Sequence, residues 1–341
     1  MLPPLRFHPI VKARSWGADR LGRYGKPPLP GHRVGESWEV ADLPDSIADG
    51  QSRVRGGALE GVSLRDLRLS RGAELLGNAT PGPAGAFPLL VKFLDAAENL
   101  SLQVHPDAAY VRAHPDTHLK TEAWIVLECE PGARVYRGIR ESVTPDDFER
   151  ALDEGRALDA IESFTVAPGD CVYLPSGTCH ALGAGILAAE VQTPSDTTFR
   201  VWDWDRNDPA RPLHRAQARA CLHFGKAQRD GVRGFVRAAD APAVEAGGLR
   251  TRRLCQSAFF TVEWIESPAG AHIPVEATGV PEIWITARGR ARWRTASGIL
   301  AAEQGATILR PAEVEAGEVE LEPGTIVLRT FCASPLDSAI A

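Results

Sequence analysis

Apolar and polar positions alternate with a period of two, or gather into short apolar runs, in PLLVKFLD (88–95), LSLQVHP (100–106), EAWIVLE (122–128), GDCVYLP (169–175), FFTVEWIE (259–266), PEIWITA (281–287) and GTIVLRT (324–330). Each run is short and set off by Gly, Pro or Asp, which is how strands separated by turns read in sequence. Many short strands in one chain predict a sandwich or a barrel. Helical spacing shows in three places: around 64–77, over 144–162 with Thr144 as cap and Pro145 in the first turn, and over 213–225. These read as a few helical insertions on a mainly β scaffold.

The pattern also repeats. EAWIVL from Glu122 lies over EIWITA from Glu282, and Gly169 to Pro175 (GDCVYLP) lies over Gly305 to Pro311 (GATILRP) at the same spacing. A strand–turn–strand unit that recurs in this way predicts two related jelly-roll barrels. After the proline the copies diverge: the first runs SGTCH to His180, the second AEVEA to Ala316, so only the first keeps a histidine. The Gly- and Ala-rich stretch 227–248 reads as the join. The expected division is a catalytic unit of 1–226 carrying the helical insertions, and a unit of 227–341 lacking a metal site.

Composition narrows the function classes. The 341 residues are 44% hydrophobic and 24% charged, ordinary values for a globular protein with room for two cores. No apolar run reaches eighteen residues and the first residues lack the apolar stretch of a secretory signal, so no membrane contact is expected and the cytoplasm is the expected compartment. Six cysteines are scattered without a CxxC pair, which reads as reduced thiols. A net charge of −6 without a basic block argues against nucleic acid and for a small-molecule substrate. Only five lysines occur, Lys12, Lys26, Lys92, Lys120 and Lys226, among many arginines. A retained Lys points to a need for a compact, titratable amine.

Strand alternation puts Ser101, Gln103 and His105 on one face and Leu102 and Val104 on the other. Buried inside a barrel, such polar groups cost roughly 1–3 kcal/mol each unless a partner satisfies them. On an edge strand they would simply face water. Glu122 and His180 strengthen the first reading, because two imidazoles, a carboxylate and an amide oxygen make a mixed N/O set suited to Zn²⁺ or another divalent first-row ion. The arrangement resembles a cupin, which draws ligands from an H-x-H-like strand, a following Glu, and a His beyond a G-D-x-x-x-x-P turn. Cys179 points opposite His180 on a strand and reads as core. His8, His32, His114, His118, His214, His223 and His272 lie outside the ligand pattern and read as surface or structural.

Several longer runs together resemble a known family. FPLLVKFLDAAENLSLQVHPD (87–107), KTEAWIVLECEPGARVYRG (120–138), LPSGTCHALGAGILAAEVQTPSDTTFRVWDWDR (174–206), SWG (15–17) and GESWEV (35–40) look like type I mannose-6-phosphate isomerases of the shorter bacterial branch, in correct order across residues 7–225. The resemblance implies one zinc ion per chain on Gln103, His105, Glu122 and His180. It also implies active-site roles for Trp16, Lys92, Ser101, Lys120, Glu190, Asp196 and Arg200. Arg200 and Ser101 suit phosphate contacts, with Arg200 at the reacting end as the alternative. Asp196 reads as a ring-opening group, a holder of Arg200 or a turn residue, and Trp16 and Trp124 read as flanking the sugar or as core. Lys92, Lys120, Glu190 and a metal-bound water are the candidates for proton transfer. Longer members often carry a His where Leu119 stands. The implied reaction interconverts mannose 6-phosphate and fructose 6-phosphate through a cis-enediol. The rivals are an Fe²⁺ cupin oxygenase, a cupin acting on another sugar or sugar phosphate, and a non-catalytic sugar-binding relative.

Overall fold

The computed structural model describes residues 1–206, 208, 209, 211–225 and 234–334. Lys226 and residues 227–233 of the expected join lie outside the described residues. In chain order the strands begin with β1 (Leu5–Arg6), β2 (Ile10–Ala18), β3 (Val34–Val40), β4 (Leu90–Asp95), β5 (Leu102–Val104), β6 (Glu122–Cys129) and β7 (Arg134–Ile139). They continue with β8 (Ile161–Thr165), β9 (Cys171–Leu174), β10 (His180–Leu182), β11 (Ile186–Gln192), β12 (Phe199–Trp202) and β13 (Phe235–Val236). The remainder are β14 (Ala243–Ala246), β15 (Leu249–Gln256), β16 (Phe260–Ser267), β17 (Ala271–Val275), β18 (Glu282–Arg288), β19 (Arg290–Thr295), β20 (Gly298–Glu303), β21 (Thr307–Arg310), β22 (Gly317–Leu321) and β23 (Thr325–Cys332).

These strands form two pairs of sheets, a mainly β fold with the two-jelly-roll plan. The large sheets run β13-β9-β6-β11-β4-β3-β2 and β1-β21-β18-β23-β16-β15-β14, and they match strand for strand. The small sheets run β12-β5-β10-β7-β8 and β17-β22-β19-β20. The echo between EAWIVL and EIWITA therefore reflects two equivalent central strands, β6 and β18. Each large sheet ends on a two-residue strand from the other half of the chain: Leu5 and Arg6 pair with Leu309 and Ile308, while Phe235 and Val236 pair with Val172 and Cys171.

The two large sheets pack back to back. Phe93, Ala123, Ile125 and Leu187 from one share a core with Phe260, Val262, Ile283 and Leu328 from the other. Inside the first pair, Trp124, Val126, Leu174 and Ala188 meet Val135 and Leu182 of the small sheet. β6 is thus covered on both faces, which is why its sequence is a near-continuous apolar run. Its fully buried polar residue, Glu122, lies at the start of the strand, and Glu128 near its end is partly exposed and accepts from Tyr24 and Arg23.

Helices cover the outer face of the first small sheet. Leu102, Val104, Ala181 and Cys179 pack there against Phe148, Ala151, Leu152, Ala218 and Cys221. The helices are α3 (Pro145–Asp153) and α4 (Arg215–Cys221), with α2 (Ala108–Ala113) beside them through Tyr110, whereas α1 (Leu64–Leu76) packs Leu64, Leu67 and Leu75 into the core shared by the large sheets. Ser63 caps α1 by accepting from Asp66 N, and Thr144 caps α3 by accepting from Asp147 N. The helix expected over 144–162 stops at Asp153, because Gly155 takes the left-handed conformation with φ of 69°. The rest of that span is a short 3₁₀ turn and β8. α4 is likewise shorter than the 213–225 expected, and α2, capped by Asp107, has no counterpart in the sequence reading. Among the described residues no helix is long and apolar enough to cross a membrane.

Candidate active site

A cavity of ≈ 460 Å³ opens into the first sheet pair. Strand alternation builds it. Lys120, Glu122 and Trp124 project from β6 and the residues before it. Lys92 and Glu190 face each other across β4 and β11, and Glu190 also lies opposite Trp124. From the small sheet come Ser101 and Gln103, with His180 directly opposite Gln103. Arg200 neighbours Gln103 on the other side. Trp16, Lys92, Ser101, Gln103, Lys120, Trp124, Glu190, Asp196 and Arg200 all line the cavity.

Beside the lining residues Gln103, Lys120 and Trp124, His105, Glu122 and His180 are fully buried, with ligand atoms within 4.8 Å of one another. His105 Nδ1 donates to the Thr197 carbonyl at 3.0 Å, and His180 Nδ1 donates to the Thr178 carbonyl at 2.8 Å. Main-chain acceptors therefore fix both tautomers and leave both Nε2 lone pairs pointing inward. They face Glu122, at 3.5 Å from His105 and 3.2 Å from His180. Lone pairs facing a carboxylate repel unless a proton or a cation lies between them. Burial, reinforced by Lys120, pushes His105 down to about 3, so its ring stays neutral. His105 Nε2 and both oxygens of Glu122 are buried without a directed hydrogen bond. These buried donor atoms fit a divalent cation, and Gln103 stands beside them: its amide lies 3.3 Å from His180 Nε2. Exchanging the two amide atoms presents Oε1 at the same point.

Beside this group lies a ladder of charge. Lys120 Nζ is 2.8 Å from Glu122 Oε2 and 3.5 Å from Glu190 Oε1, and Lys92 Nζ is 3.7 Å from Glu190 Oε2. Burial alone would lower the Lys120 ammonium, but Glu122 and Glu190 hold it above its ordinary value. Burial raises the Glu190 carboxyl; Lys92 opposes this, and the neighbouring Glu122 reinforces it. Burial would also raise Glu122, yet Lys120 and His105 hold it well below the usual carboxylate range.

The other expected residues take their places around this centre. Ser101 and Trp16 are buried in the wall, whereas Asp196 stands exposed at the rim. Arg200 donates to the Pro212 carbonyl at 3.3 Å instead of pairing with Asp196. Trp124 lies edge-on to His180, ring centroids 5.4 Å apart. Cys179 is buried on the opposite side of β10 from the cavity, and burial pushes its thiol up.

Five further polar side chains line the cavity that sequence reasoning did not single out as site residues: Arg14, Glu36, Thr198, Arg211 and His214. His214, read from sequence as surface or structural, accepts from Arg200 N through Nδ1 at 3.2 Å. Arg14 Nε holds Glu36 at 2.7 Å, and Trp38 Nε1 donates to the same carboxylate at 2.7 Å. Period-two spacing from Trp16 and Trp38 points to Arg14 and Glu36. Nothing in the sequence pattern marks Arg211, which stands on a loop after β12.

The second sheet pair differs at the equivalent position. Where Glu122 lies opposite Leu174, Glu282 lies opposite Arg310. Arg310 Nη1 reaches Glu282 Oε2 at 3.2 Å, and Trp284 Nε1 donates to the same oxygen at 2.7 Å. A guanidinium supplies the counter-charge there. Among the described residues, His105, Glu122 and His180 form the one group of three such side chains spaced to hold a metal.

Comparison with known proteins agrees with this architecture. Residues 5–125 match the family model for the phosphomannose isomerase type I catalytic domain. The chain is 38% identical to mannose-6-phosphate isomerase ManA of Bacillus subtilis over 62% of its own length and 65% of that relative, just under two thirds of the latter. It is 36% identical to mannose-6-phosphate isomerase of Streptococcus mutans over 77% of its own length and 78% of the relative. The crystal structure of the Bacillus subtilis mannose 6-phosphate isomerase superposes with a TM-score of 0.82 at 26% identity, covering 96% of this chain and 99% of that one. The chain belongs to the type I mannose-6-phosphate isomerase family of enzymes.

Proposed function

We propose that this chain catalyses the reversible aldose–ketose isomerisation of mannose 6-phosphate and fructose 6-phosphate through a cis-enediol, in the cytoplasm. In this reading one zinc ion is held by Gln103, His105, Glu122 and His180. The observation that carries it is the buried His105–Glu122–His180 group beside a cavity walled by Lys92, Lys120 and Glu190. The names of the relatives that align with most of the chain support the same activity.

A zinc ion there would supply Lewis-acid polarisation of the sugar's carbonyl and hydroxyl oxygens. The chain's own groups do the rest. Isomerisation removes a proton from C2 and returns it at C1, and the Glu190 carboxyl and Lys120 amine, 3.5 Å apart, are the pair available to carry it. Lys92 balances Glu190 from the next strand. Arg200 and Ser101 take the phosphate, Trp16 flanks the sugar, and Asp196 at the rim assists ring opening. The catalytic unit is 1–226, and the 227–341 unit, with its Glu282–Arg310 pair, covers it and holds no metal.

A coupled assay on mannose 6-phosphate, glucose 6-phosphate and free mannose tests this. Turnover of mannose 6-phosphate that chelator abolishes and zinc restores is expected. No turnover by metal-replete protein would overturn the reading.

A further inference from the structure

A second polar cavity, of ≈ 280 Å³, opens far from the metal ligands, at the seam where the N-terminal strands meet the turn before β21; Arg6, Tyr24, Lys26, Glu39, Arg55 and Glu303 are among its walls. The seam is tightly built. Lys26 is buried, and its Nζ donates to Glu39 Oε2 and to the Gly305 carbonyl, both at 2.7 Å. Gly305 has a φ of 84°, and a Cβ there would meet the Tyr24 carbonyl oxygen at 2.1 Å. The two halves of the chain are therefore in backbone contact beside the cavity, and only glycine permits it.

Charge in this cavity is unbalanced. Arg6, Lys26 and Arg55 face Glu39 and Glu303. Both carboxylates are already engaged: Glu39 with Lys26 and with the Ser37 hydroxyl at 2.6 Å, Glu303 with Arg290 at 3.7 Å. Among the described residues, neither the Arg6 nor the Arg55 guanidinium has a hydrogen-bond or ion-pair partner. Burial and then Arg55 depress Arg6, and Glu39 and Glu303 offset them only in part. An anion between the two guanidinium forks relieves both penalties, and the forks suit the oxygens of a phosphate.

We propose that Arg6, Arg55 and Lys26 form an anion-binding site at the seam between the two halves, and that its ligand is a small inorganic oxyanion of the phosphate class. The ligand follows from the charge of the forks, and ≈ 280 Å³ leaves room for an ion of this class. Such an ion ties β1 and Arg55 to the segment around Lys26 and so clamps the seam.

Calorimetric titration with inorganic phosphate at low ionic strength tests the site. The Arg200→Gln protein is the background, so that phosphate binding in the active site is weakened, and the change on Arg55→Gln isolates the seam. It should keep a phosphate-binding event and a phosphate-dependent rise in melting temperature. Adding Arg6→Gln and Arg55→Gln should weaken that binding at least tenfold and abolish the rise. Arg55→Gln alone, at an exposed side chain without a partner, keeps the protein folded and should still weaken binding severalfold. Undiminished binding in the Arg55→Gln protein, or no phosphate binding in the Arg200→Gln background, would overturn the proposal.

Discussion

His180 on β10 lies directly opposite Gln103 on β5, and their side chains meet 3.3 Å apart. Two residues beyond Gln103, His105 brings a second imidazole alongside, ring centroids 4.8 Å from those of His180. Glu122 arrives from the facing large sheet. The proposed ligand set thus draws on both sheets of the first pair, with Gln103, Glu122 and His180 placed by strand register and His105 directly after β5.

The amide in that set is expected to contribute to metal retention rather than to folding. Gln103→Leu should lower zinc affinity at least tenfold in a chelator competition while leaving the urea midpoint of the metal-free protein nearly unchanged. Equal affinity in the variant would remove Gln103 from the set.

Arg211 stands in the cavity wall with Arg200, and two guanidinium groups suit a phosphate dianion. Arg211→Gln should raise KM for mannose 6-phosphate by about tenfold, the order expected for one charge-assisted contact, with a smaller change in kcat. A fall in kcat at constant KM would place Arg211 at the reacting end instead.

Glu36 gives a pH signature. Burial would raise its carboxyl, but Arg14, Lys92 and Trp38 bring it from 4.5 down to about 2. A depressed acid contributes stability above its unfolded pKa and loses it as pH falls through the folded one. Glu36→Gln should therefore cost on the order of 3 kcal/mol at pH 7, and the gap from wild type should shrink steadily below pH 5. Urea midpoints measured between pH 7 and pH 3 read this directly, and a gap constant with pH would refute it.

The Glu282–Arg310 pair should behave as a structural ion pair. Arg310→Leu strands a buried carboxylate and should destabilise by about 3–5 kcal/mol, whereas Arg310→Leu combined with Glu282→Gln should recover most of the loss. Bound zinc should stay at the wild-type level in both proteins. A change in metal content would show that the second sheet pair takes part in the site.

Much of this was legible from the strand period alone. Alternation in SLQVH put Ser101, Gln103 and His105 on one face, and the paired GDCVYLP and GATILRP runs marked two equivalent sheets. The exchange of β1 and β13 between the large sheets was not legible, because two-residue strands carry no periodicity. The helix expected through 162 was cut short by one glycine, Gly155, whose left-handed backbone outweighed the helical spacing beyond it. Arg211 and His214 reach the cavity from the stretch between β12 and α4, and only the three-dimensional return of that chain to Arg200 reveals them.

The most direct test pairs metal content with turnover. Wild type and His180→Ala are stripped of metal, reconstituted with zinc, and measured for bound zinc by elemental analysis and for mannose 6-phosphate turnover in the same samples. The account predicts one zinc per wild-type chain with activity proportional to occupancy, and loss of both in His180→Ala. Full activity in metal-free wild type, or undiminished activity in His180→Ala, would contradict it.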